Sequence, residues 1–156
     1  MTRWSRLGMM ALLLLAVWGF GMSGSLEAQG VDGKSQSRFT KASNGVITDH
    51  LTGLEWYVRP NADNNWYEAK AWVDSLTVGG GGWRMPTVPE LQAIYQKGAS
   101  RANMDPLFEP KAAWVWSGQM DDARTYYGFA FYSGLVNSHS MHYGYGRMAF
   151  AVRSPK

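Results

Sequence analysis

His139 and His142 stand three residues apart, downstream of Asp121 and Asp122. Imidazoles with carboxylates are the ligand set of a transition-metal centre. The run Ser138-His139-Ser140-Met141-His142-Tyr143-Gly144-Tyr145-Gly146 is polar, aromatic and glycine-spaced, which predicts a loop. Loop spacing does not hold both rings on one side, so solvated loop histidines are expected rather than a metal site. His50 is expected in a turn. Ser117 and Ser140 have no strand-turn-helix elbow around them. The carboxylates are scattered, and no pair has a spacing that fixes acid–base geometry. No catalytic residue is expected. The chemistry that remains is recognition, by Arg124, Tyr126, Tyr127, Asn137, His139, His142, Tyr143, Tyr145 and Arg147. Tyr offers rigid amphipathic area, and Asn and Ser offer adaptable hydrogen bonds. Arg suits a sulfate or carboxylate. The competing reading is that some of these tyrosines only flank a sheet.

A second constellation is Gly79 to Gly82 followed by Trp83-Arg84-Met85-Pro86-Thr87-Val88-Pro89-Glu90-Leu91. The glycines lack the Lys-Ser/Thr and strand context of a phosphate loop. The motif reads as architecture. Trp83 is expected in the core, with Arg84 binding loop carbonyls or a carboxylate. Pro86 stops the preceding segment. Thr87 and Glu90 have capping-box spacing for a helix.

The flanking segments place these residues on elements. Val46-Ile47-Thr48 and Leu54 to Val58 are β-prone and flank a turn, which predicts a hairpin. Asn65 and Glu68 repeat the capping box, and Trp66, Ala69, Trp72, Val73 and Leu76 recur at helical period over about 66–76. The second helix, behind Thr87, is expected to run about three turns to Gly98. Residues 99–113 form a long connector. Strands are then expected at 114–117, 125–132, 135–137 and 148–153. Helices followed by a run of strands give an α+β architecture, here two helices packed on one twisted antiparallel sheet.

The first thirty residues stand apart. Arg3 and Arg6 precede an apolar run from Leu7 to Phe20 and a small polar stretch, the form of a secretory signal. Cleavage is expected after Ala28, with Ser25 as the second choice and an uncleaved anchor as the competing reading. Residues 29–37 then form a flexible lead-in, and 38–156 form the domain. The expected location is exported: periplasmic, cell-surface or secreted. The chain has no cysteine, which excludes disulfides, thiolate sites and an acylated lipoprotein end. Eight Trp, eight Tyr and six Phe supply a large core. The formal charge of +3 falls to +2 once Arg3, Arg6 and Glu27 are removed, too little to argue for nucleic acid.

Several of these segments together resemble one family. They are Arg38-Phe39-Thr40, Asn44 to Asp49, Leu51-Thr52-Gly53-Leu54-Glu55-Trp56, Trp66-Tyr67-Glu68-Ala69, Gly82 to Thr87 with Glu90-Leu91, Trp116-Ser117 and Ala151-Val152-Arg153. The chain resembles the Lcl C-terminal-type domain family over nearly all of 38–154. The resemblance implies a C-type-lectin-like fold in exported bacterial proteins, non-catalytic, binding polysaccharide that includes sulfated glycans. Members often carry a cysteine in the first helix and one in the last strand, where this chain has Val73 and Ala151. Calcium is the usual cofactor of lectins of this fold. Glu109-Pro110-Lys111 is similar to the Glu-Pro-Asn of calcium-dependent sugar lectins, but puts a cation where an oxygen ligand is needed, so no cofactor is expected. The expected partner is a glycan or a protein surface at the cell envelope, met by the C-terminal strand loops. The alternatives are a structural subunit of an envelope assembly and a retroelement-diversified display protein.

Overall fold

The computed structural model describes residues 37–155. The expected leader and all but the last residue of the lead-in lie outside the described residues.

The hairpin forms as its residues predict, with a third strand added. β1 (Phe39–Lys41) pairs antiparallel with β2 (Ile47–Asp49), and β2 with β3 (Glu55–Val58). Asp49 ties the turn. It is fully buried and accepts two hydrogen bonds from Arg38, at 2.9 and 2.8 Å, and others from Leu51 N and Thr52 Oγ1. Burial alone would raise this carboxyl; the bonds from Arg38, Thr52 and Leu51 hold it below the usual carboxylate value.

Both capping boxes are present. Asn65 Oδ1 accepts from Glu68 N at 3.0 Å, and Glu68 returns a bond to Asn65 N at 2.9 Å. They open α1 (Trp66–Asp74). Thr87 and Glu90 exchange the same pair of bonds and open α2 (Val88–Ala93). The second helix is shorter than the expected three turns. Tyr95 N bonds to Gln92, and Gln96 N bonds to Asn103 O at 2.6 Å, so the backbone leaves the helical ladder at Ile94. A 3-10 turn at Pro106–Phe108 breaks the long connector.

The strands form two sheets rather than one. The first has the order β1-β2-β3-β8 and the second β6-β5-β4-β7. Here β4 is Trp114–Asp122, β5 Thr125–Ala130, β6 Leu135–Ser140, β7 Arg147–Met148 and β8 Phe150–Arg153. The expected closing strand at 148–153 is divided at Ala149. Its first part lies parallel to β4, and its second lies antiparallel to β3. Ser138, His139 and Ser140, expected in a loop, extend β6.

Period two then sorts the core. Phe150 and Val152 face one cluster with Phe39, Ile47, Trp56, Leu91, Phe108 and Phe129. Ala149 and Ala151 face the other, with Trp66, Ala69, Val73, Trp83, Trp116 and Tyr126. Alanine at 149 and 151 leaves room for the α1 residues Ala69 and Val73 on that side. Val73 and Ala151, the two positions where the resemblance implies a cysteine in many members, are both buried in this cluster.

The four-glycine run serves Arg153. Its guanidinium donates to the carbonyls of Val78, Gly79 and Gly81 and to Glu55 at 2.7 Å, and lies 4.3 Å over the Trp83 ring. A Cβ on Gly79, at φ 61°, would fall 2.4 Å from the guanidinium. Carbonyl oxygens rather than N–H groups face inward, so the loop cradles a cation. Trp83 is buried as expected, and Arg84 binds a carboxylate, Glu90. No helix among the described residues is long and apolar enough to cross a membrane.

Candidate ligand-recognition surface

The β5–β6 register decides which side chains share a face. Tyr126 lies across from His139, Gly128 across from Asn137, and Tyr127 across from Ser138. Alternation puts Tyr126, Gly128, Asn137 and His139 on one face and Tyr127 with Ser138 on the other. The nine predicted contact residues are therefore divided.

Tyr127 stands on the α2 side. Its hydroxyl donates to Asp121, which lowers the Asp121 carboxyl and raises the phenol. It lines a groove of about 280 Å³ with Val88, Pro89, Gln119 and Val136. Arg124 lies exposed in the β4–β5 turn, where its N–H donates to Asp122.

The other face carries a continuous strip of rings. Trp114, half-buried on β4, meets the His139 ring edge-on at 4.6 Å and the Tyr132 ring at 6.2 Å. The Arg147 guanidinium lies 5.8 Å from the Trp114 ring, 5.3 Å from Trp116 and 4.3 Å from Tyr143. Gly128 provides the floor. A Cβ there would sit 3.5 Å from Trp114 and 3.6 Å from His139, in ordinary contact with both rings, and 3.3 Å from the Val115 carbonyl.

Two members of the predicted set are core residues. Tyr126 is 9% exposed and stacks on Trp66 at 3.8 Å. Arg147 is 6% exposed, because β7 draws it beside β4, and it donates to Tyr145 O at 2.9 Å. His139 is likewise no solvated loop histidine. Strand β6 sets it against Trp114, and its Nε2 is buried with no hydrogen-bond partner. Burial, and then the charge of Arg147, lower its pKa. Burial also lowers the Arg147 pKa, against an opposing effect of Tyr143.

The exposed rim is His142, Tyr143, Tyr145 and Asn137, with Tyr143 51% and Tyr145 77% exposed. Their loop is pinned to the start of α1. Trp66 N donates to Met141 O, Asn64 N to Arg147 O, and Gly146 N to Asp63 Oδ1. Gly144 fits only as glycine, since a Cβ would lie 2.8 Å from Asn65 N. The His142 ring lies 5.4 Å from Tyr67. Trp114, Tyr132 and Tyr67 are absent from the predicted set. Trp114 reads as a buried strand residue; the register pairs it with Ala130, and its ring reaches over Gly128 to meet His139.

Each Asp and Glu among the described residues is bonded within the fold, by a cation, a hydroxyl or a backbone N–H. Glu109, the carboxylate of the Glu-Pro-Lys triplet, is held by Lys41 at 2.8 Å. Among the described residues no three His, Cys, Asp or Glu side chains are grouped closely enough to hold a metal.

The family model described as the Lcl C-terminal domain matches residues 45–153. The chain belongs to the Lcl C-terminal domain family. The match takes in both sheets except β1, both helices and the whole aromatic strip. The Lcl C-terminal domain is a surface or recognition type of domain, and the strip lies within the part it covers. No curated protein matches the chain significantly.

Proposed function

We propose that this domain is an exported, non-catalytic recognition module with a C-type-lectin-like arrangement, binding a glycan at the cell envelope. The carrying observation is the strip Tyr132–Trp114–His139–Arg147–Tyr143. The exposed aromatic faces suit the apolar faces of sugars, and the buried Arg147 guanidinium lies beneath them and positions the rings. Asn137 and His142 supply adaptable polar contacts at the rim. The carboxylates with resolved shifts are all lowered by hydrogen bonds within the fold, so none of those is poised as a general acid. Binding is expected to need no calcium.

The test is a broad glycan array, sulfated polysaccharides included, probed at low and high salt and with a chelator. Salt-sensitive, chelator-insensitive binding that drops at least tenfold in Trp114→Ala and Tyr143→Ala supports the reading. A blank array from a folded sample overturns it and favours a protein ligand.

A further inference from the structure

Sheet edges expose unpaired N–H and C=O groups that template pairing with another chain, and folds blunt them with cover, charge or proline. Three of the four edges here are blunted. The outer side of β8 is closed by Arg84, whose N donates to Val152 O at 3.0 Å and whose O accepts from Val152 N at 2.9 Å. The outer side of β7 is met by the preceding segment, through Asn64 N to Arg147 O and Arg59 N to Ala149 O. β1 has three residues, one of them Lys41, which bonds Leu107 O and Glu109 across the edge.

Within its own residues the β6 edge has none of these devices; the nearest charge, the Asp121 carboxylate of β4, is bonded to the Tyr127 and Ser138 side chains. Its six residues, Leu-Val-Asn-Ser-His-Ser, contain no proline, lysine or carboxylate. The direction of its backbone groups follows from the ladder. Met141 N donates to Arg124 O, and the same register continues through His139 and Asn137 opposite β5. In an antiparallel pair such bonded positions alternate with outward-facing ones. Val136 and Ser138 therefore point their N–H and C=O groups away from β5. Among the described residues no hydrogen bond reaches them.

We propose that β6 pairs antiparallel with β6 of a second copy of this chain, about a two-fold axis at Asn137. That register sets Val136 opposite the partner's Ser138 and uses the free groups of both. On the strip face it sets Asn137 against the partner's Asn137. It also covers Leu135, 56% exposed, with the partner's His139. No charge is opposed within the strand, and the contact is self-complementary, as a two-fold interface must be. Because the remaining edges are blunted, the pairing closes at a dimer instead of growing into a fibre.

Sedimentation equilibrium of the full chain in a density-matched detergent micelle tests this. The expected result is a monomer–dimer equilibrium, with amide exchange at Val136 and Ser138 slowing as the dimer forms. Ser138→Pro removes an outward N–H at an edge position that tolerates proline. Asn137→Lys sets like charges across the axis while changing an exposed side chain, and so reports even if the proline variant unfolds. Each is expected to shift the chain to monomer with its circular dichroism unchanged. A monomer at every concentration overturns the proposal. So does association that persists in both folded variants, as self-association through the N-terminal apolar run would, or protection of these amides only by an added extended peptide.

Discussion

Arg153 shows how far one side chain reaches through this fold. It is 7% exposed, and it holds Glu55 of β3 and the glycine turn before Trp83 at once. Removing it leaves a carboxylate and carbonyls without their partner. Arg153→Ala is expected to cost about 3 kcal/mol, read as a lower urea midpoint. Gly79→Ala forces a side chain into the guanidinium at a left-handed φ, and is expected to cost about 1–3 kcal/mol in the same assay. His139 sets a pH dependence. Its folded pKa is lowered, so the unfolded chain takes up the proton first. Stability from this residue is full above the unfolded value of about 6.5 and declines as pH falls below it toward the folded value. Urea midpoints from pH 7.5 to 5 are expected to fall in the wild type and to flatten in His139→Asn. The Asp49 and Glu90 carboxyls, also lowered, lose their contribution only at more acid pH, below about 4.

At the scale of elements, what could be read in the chain was local. Asn65 with Glu68, and Thr87 with Glu90, announce helix starts because a capping box is satisfied within four residues. Thr87→Ala is accordingly expected to cost about 1 kcal/mol in chemical denaturation. The hairpin was legible for the same reason. The end of α2 was not, since it depends on Gln96 meeting Asn103 O, a loop contact with no periodic signature. The strand character of Ser138–Ser140 was hidden because β6 is an edge with polar residues on both faces, so apolar alternation is missing. The candidate site was legible in composition and illegible in geometry. Its tyrosines, histidines and arginines stood out, but burial of Tyr126 and Arg147 follows from pairings with α1 and β4 that lie far away in sequence. The loop at 141–147 depends on Gly144. Gly144→Ala would drive a Cβ into the Asp63–Asn65 backbone, and is expected to lift the loop and lower glycan affinity several-fold, as measured on the array.

For the whole molecule, the two sheets and two core clusters depend on one another through the segment 147–153. β7 completes the second sheet, Ala149 and Ala151 fill one cluster, and Phe150 and Val152 fill the other. A family match over 45–153 therefore spans one interlocked unit. The time at which this unit can assemble follows from the same arrangement. β8 pairs with β3 across more than ninety residues of intervening chain, a contact of high sequence separation that is slow to close. A nascent chain that ends short of Arg147 lacks a strand of each sheet and the guanidinium that organises the glycine turn. Neither core can close around what has already been synthesised. Completion of both sheets therefore waits on the last strand, and a chain truncated before Arg147 is expected to lack the near-UV circular dichroism of the packed cores.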